Sequence, residues 1–183
     1  MKIESALIIA VPEAAPLVKA LRERFDWSAA QGVPAHITIL YPFMPPDKIT
    51  PEVLADLREF FAQFEAFEFT LPETRRFPTV LYLAPSPAEP FKVLMQATVE
   101  RYPDYPPYAG QIAVLDLTPH LTMADGLEAA QLDNLEREFR QQHGTQLPVK
   151  AKASEVLLIE NTSGRWETRQ AFELTDGRLQ NVL

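Results

Sequence analysis

The chain has 183 residues, 17 Lys+Arg against 25 Asp+Glu for a formal charge of -8, and no Cys. One domain, or one domain of two lobes, is the size expectation, with room for a sizeable core. The acidic balance excludes a protein that holds long nucleic acid mainly by its phosphates, or that docks on anionic membranes. The missing cysteine excludes disulfide frameworks, thiolate zinc sites and a cysteine nucleophile.

In chain order, Ala6–Val11 is a short β-branched run stopped by Pro12, hence a buried strand. Pro12-Glu13 opens a helix to about Arg24 with Leu17, Leu21 and Phe25 at helical spacing. Ala35–Leu40 reads as a second strand ending near Pro42, before the Pro45-Pro46 turn. Thr50-Pro51 caps a helix to about Phe64, whose Phe-rich apolar face is core. Strands follow at Phe67–Leu71 and Thr79–Leu83, then a helix at Pro90–Tyr102. A proline-rich turn leads to strand-like Ile112–Leu117 and Pro119–Ala124, and a helix runs from Leu127 to His143 with Gly144 as its C′ residue. Leu147–Ala151, Val156–Glu160 and Arg165–Leu174 complete the pattern as strands. The expectation is a mixed α/β chain, 1–183 as a single domain of two lobes, with strand–helix pieces recurring in each half. No signal peptide or apolar stretch of roughly 18–20 residues is present, so the chain reads as cytoplasmic, off the membrane and monomeric.

Two of the three histidines share a pattern: His36-Ile37-Thr38-Ile39 and His120-Leu121-Thr122-Met123. With 12 Thr in the chain, two such matches among three histidines arise by accident roughly once in two thousand. Alternation in a strand puts His36 with Thr38, and His120 with Thr122, on one face, while the apolar residues anchor the other. Two facing imidazoles, with pKa values near 6.5, can act as one neutral base and one protonated acid at neutral pH. The threonine hydroxyls can donate to oxygens that gain charge. That set suits metal-free in-line displacement at phosphorus.

The tandem motif resembles the signature of the 2H phosphoesterase superfamily, which includes 2′-5′ RNA ligase-like proteins and cyclic nucleotide phosphodiesterases. Ala35–Phe43, Val80–Pro85 and Tyr105–Tyr108 agree in style. The resemblance implies a bilobal α+β fold with pseudo-twofold symmetry about a central cleft. It also implies His36 and His120 as acid and base, and Thr38 and Thr122 on the phosphate. It departs at Asp125, where the RNA 2′,3′-cyclic phosphodiesterase branch carries an Arg five residues after the second motif's His. Between Phe25 and Leu57 the only basic residue is Lys48, and Tyr102 to Glu136 contains none. The distant Arg75, Arg76, Arg165 and Arg169 are the remaining cations for a phosphate.

Tyr41, Phe43, Tyr82, Tyr108 and Arg165 are further residues that could line a substrate site, against packing roles in core or turns, and Trp166 could line it beside Arg165. His143, at a helix C-terminus, reads as structural. Metal-ligand spacings, phosphate-loop and dinucleotide glycine fingerprints and a Gly-x-Ser-x-Gly elbow are absent. The sequence therefore points to an enzyme without cofactor or metal, hydrolysing a cyclic or 2′-linked phosphodiester of a small nucleotide rather than long RNA. A nucleotide- or RNA-binding module of the same fold, and a 2′-5′ RNA ligase-like activity, are the alternatives.

Overall fold

The computed structural model describes residues 2–176; residues 1 and 177–183 of the single domain expected above lie outside the described residues. The strands are β1 (Ser5–Ala10), β2 (His36–Leu40), β3 (Phe67–Phe77), β4 (Val80–Ser86), β5 (Leu121–Ala124), β6 (Val149–Ala153), β7 (Glu155–Glu160) and β8 (Glu167–Glu173). The α-helices are α1 (Ala15–Phe25), α2 (Trp27–Ala30), α3 (Pro51–Phe61), α4 (Glu89–Arg101) and α5 (Ala129–His143). They build two antiparallel four-stranded sheets, ordered β2-β1-β7-β8 and β5-β4-β3-β6. The mixed α/β, two-lobed architecture expected from the sequence is what the chain adopts. The lobes are not its two halves, however: the first sheet takes strands from both ends, and the second is contiguous.

In each sheet the motif strand is an edge strand that closes a strand–helix–strand unit, β1-α1-β2 in one and β4-α4-β5 in the other. The helices are exchanged: α1 packs on β5 of the other sheet, and α4 packs on β2. Meanwhile α3 covers β8 and α5 covers β4, so each sheet lies under one helix of its own and one of its neighbour's. One cluster, including Leu7, Val18, Leu57, Leu83, Phe91 and Phe139, joins both sheets through these helices. Burial on this scale, at about 25 cal/mol per Å² of apolar surface, is the dominant force holding the lobes together.

The two motif strands repeat one construction. Ile37 pairs with Ile9 and Thr38 with Ile8, with a register shift in β1 next to Ile8. Thr122 pairs with Tyr82, with a register shift in β4 next to Tyr82. Such shifts re-aim side chains beside functional sites.

Several expectations need correction. Ile112–Leu117 is not a strand: Val114–Asp116 forms a single 3₁₀ turn, and Leu115 is 88% exposed, so its apolar alternation has no ladder to join. The Phe67 strand continues to Phe77, passing Pro72 at a register shift, the position where a missing N–H is tolerated. Helix α5 starts at Ala129, capped by a reciprocal Glu128–Gln131 box, and Gly144 keeps a right-handed φ of -57° as the chain enters a 3₁₀ turn. It is not the left-handed C′ residue expected. The one-turn helix α2 has no counterpart among the expected elements; Asp26 caps it by accepting from the Ser28 amide.

Candidate active site

His36 opens β2 and His120 sits immediately before β5, two edge strands that meet between the sheets. Ile37, Ile39, Leu121 and Met123 are buried on the far face. His36, Thr38, His120 and Thr122 are half-buried and line one cleft of about 380 Å³. That volume is within the usual range for small-molecule sites, roughly 300–1,000 Å³.

The rings are held alike. His36 Nδ1 lies 2.8 Å from the Pro34 carbonyl oxygen, and His120 Nδ1 lies 2.7 Å from that of Thr118. In each case the neutral ring donates its Nδ1 proton to the carbonyl two residues upstream, which leaves Nε2 as the free acceptor. Burial lowers His36 to a pKa of about 4, with Arg22 and His120 lowering it further, while the Pro34 carbonyl and Asp26 act the other way. Burial also lowers His120, opposed by its bond to Thr118 and by Asp125. Both shifts favour the neutral imidazole in the free protein. An entering phosphodiester anion favours proton uptake by one of the two rings.

Different groups support the two rings. Beside His36 is a buried ion pair: Arg22 Nε donates to Asp26 Oδ2 at 2.8 Å, with side-chain exposures of 6% and 4%. Arg22 Nη2 donates to the Val33 carbonyl, next to the Pro34 carbonyl that holds His36. His120 instead packs edge-on against Phe77 and Tyr82, with ring centroids 5.0 and 5.4 Å away.

Of the further residues singled out, Tyr41 and Tyr108 line the cleft. Tyr41 donates to Glu4 Oε2, and its ring meets Trp166 edge-on. Tyr108 donates its amide to the Tyr41 carbonyl from a left-handed backbone, with φ of 49°. Such a conformation costs a non-glycine residue about 1–2 kcal/mol. Tyr82 is buried and reaches the site only through its contact with His120. Phe43 lies elsewhere: it is 4% exposed and packs edge-on against Tyr102 and Tyr105. Arg165 is exposed, lies along the Gly32 turn and is not among the residues lining the cleft, whereas its neighbour Trp166 is. Gly32 is fixed there by a φ of +101° and by Trp166, whose carbonyl oxygen would lie 2.9 Å from an added Cβ. His143 tilts against Phe139 away from the cleft.

Asp26, Trp27, Phe77 and Asp116, not singled out in the sequence, also line the cleft, and so does Asp125. Asp125 stands out in the sequence only for what it replaces. No periodic signal marks the others, since each comes from a loop or element end. Among the described residues, no Lys or Arg lines the cleft, and no three of His, Cys, Asp and Glu form a group that could hold a metal ion.

Paired strands of this construction, facing each other between two sheets, match a known family over most of the chain: the 2′-5′ RNA ligase superfamily pattern fits residues 10–165. The chain belongs to the 2′-5′ RNA ligase superfamily. The 2H phosphoesterase resemblance carried by the two motifs therefore holds, and the superfamily is an enzymatic one. Escherichia coli LigT, solved in complex with 3′-AMP, is 16% identical with a TM-score of 0.56, covering 96% of this chain and 100% of LigT. TT0787 of Thermus thermophilus is 17% identical with a TM-score of 0.60, covering 95% of this chain and 99% of its own. A further structure, described only as a phosphoesterase, is 13% identical with a TM-score of 0.54. At these identities the superfamily members share the fold. No significant match is found among curated proteins.

Proposed function

We propose that this superfamily member hydrolyses a cyclic or 2′-linked phosphodiester of a small nucleotide, with His36 and His120 as the acid–base pair. The observation that carries the reading is the matched anchoring of the two rings. Both Nδ1 atoms are occupied by carbonyls, and both histidines line one cleft with a threonine beside each. Pure binding does not require two titratable groups in such an arrangement. One neutral imidazole takes a proton from water at Nε2 as the water oxygen bonds to phosphorus. One P–O ester bond breaks, and the other ring, protonated in the complex, gives its proton to the departing oxygen. Thr38 and Thr122 donate to the non-bridging oxygens as charge builds there. The step draws on no metal. LigT, the structural relative, has been captured with 3′-AMP, ATP and NADP+, which is consistent with nucleotide ligands for this fold.

The test is a panel of 2′,3′-cyclic nucleotides and 2′-5′ dinucleotides assayed in EDTA, with His36→Ala and His120→Ala beside the parent. We expect turnover by the parent and a loss of about 10²–10⁴-fold in each variant, the range for a lost general acid or base. Turnover surviving both substitutions overturns the mechanism; binding without turnover makes the cleft a nucleotide-binding module. The kcat/KM profile should be a bell with its maximum on the acid side of 6.5, because burial lowers both rings in the free protein. The kcat profile should lie at higher pH, since the bound anion stabilises the protonated ring.

A further inference from the structure

The charges around the two histidines are unusual for a site that takes phosphate. Asp26, Asp116 and Asp125 line the cleft, and among the described residues no Lys or Arg does. Four arginines are held elsewhere, and the exposed Arg165 lies along the Gly32 turn and does not line the cleft. Arg22 is locked in its buried pair with Asp26. Arg76 is paired with Asp133 and Glu136, and Arg75 with Glu73. Arg169 donates to the carbonyls of Pro46 and Ile49 and to Glu160. Arg22 offsets the charge of Asp26, which leaves Asp116 and Asp125 as the net field, both exposed at the cleft. Much of the remaining wall is apolar or aromatic. Ile8, Ile159 and Trp166 form a second buried cluster on the cleft side of the first sheet, and Trp27, 59% exposed, borders it.

We infer that the cleft selects by charge: it takes a substrate whose only phosphate is the reacting diester, attached to an aromatic or apolar group, and it discriminates against nucleotides carrying a second phosphate. The inference rests on the phosphodiesterase reading above and narrows its substrate class. A diester carries one negative charge, which two threonine hydroxyls and one imidazolium can match. A second phosphate adds up to two more charges and, among the described residues, meets no Lys or Arg lining the cleft, only the two carboxylates. Repulsion between such charges at a partly solvated site is worth about tenfold in affinity per pair at low salt and shrinks with screening. The same field opposes retention of a monoester product, which gains a charge when the ring opens.

The test compares two ligands that differ by one phosphate and are not consumed, adenosine 3′-monophosphate and adenosine 3′,5′-bisphosphate, by calorimetry at 20 and 300 mM salt. The same measurements are made on the Asp116→Asn/Asp125→Asn double variant, with its folding checked by circular dichroism. Both positions are exposed, so the variant should fold. The bisphosphate should bind at least tenfold more weakly at low salt, and the gap should narrow at 300 mM. In the double variant at low salt it should fall to about threefold or less. Equal or tighter binding of the bisphosphate overturns the inference, as does no detectable binding of either ligand, or an unchanged gap in the double variant. Initial rates with adenosine 2′,3′-cyclic phosphate are run in parallel. Discrimination without turnover would sink the hydrolytic reading and keep the charge selection, whereas turnover without discrimination would do the reverse.

Discussion

His36 shows how one ring can serve chemistry at some expense to the fold. Its pKa, lowered by burial to about 4, compares with about 6.5 in an unfolded chain. Between those values the unfolded chain binds a proton that the folded one does not, so stability falls as pH drops from 6.5 to 4 and the contribution levels off below. The loss across that window is up to about 3 kcal/mol from this residue. Urea denaturation of the parent and His36→Gln at pH 7 and pH 4.5 should show a smaller loss in the variant; equal losses would mean that the ring is not desolvated. His36 and Thr38 are readable in the sequence because strand periodicity alone puts them on one face. The carbonyl that holds each imidazole is not, since any backbone oxygen is a candidate until the chain is folded. Phe43 misleads for a related reason: an aromatic three residues past a strand can turn to either side, and here Tyr102 and Tyr105 draw it inward.

Among elements, the junction from α1 through α2 to β2 is where the first histidine is set. Arg22 ties three pieces together, donating to Asp26, to the Ser28 hydroxyl and to the Val33 carbonyl. Removing the guanidinium leaves a buried carboxylate without its partner, which costs about 3–5 kcal/mol. Arg22→Ala should therefore lower the unfolding free energy by that amount and reduce kcat more than it raises KM, because it loosens His36 without touching a ligand. A loss below about 1 kcal/mol would show that the pair is solvated. The main helices and most strands are legible from capping residues, prolines and apolar spacing. Helix α2 and the 112–117 loop are not: the first is too short to show a period, and the second has an alternating pattern with no neighbouring strand to pair with.

At the scale of the molecule, the two-lobed class is legible from the repeated motif, but the strand order is not. Nothing local to β7 or β8 states that they join β1 rather than the adjacent β6. That pairing is decided by long-range burial, with Leu157 and Leu158 opposite Ile8 and Leu7. Contiguous β3–β6 contacts span shorter loops than the β1–β7 pairing and cost less entropy to close. In pulse-labelled hydrogen exchange during refolding, amides of β3 and β4 should gain protection before those of β1 and β7. Simultaneous protection of both sheets would show that the molecule folds as one unit from the start.

The division of the first sheet between the two ends of the chain also bears on synthesis. About 115 residues separate Leu40 of β2 from Glu155 of β7, and at about 5–20 residues per second a ribosome takes many seconds to cross that interval. Throughout it the nascent β1, with Leu7, Ile8 and Ile9 in a row, has one hydrogen-bonding edge without its mate, the kind of edge that recruits strands from other chains. The first histidine therefore emerges early on a half-built sheet. Its cleft closes only when the far end of the protein arrives, so the interval most exposed to aggregation falls before any activity can exist.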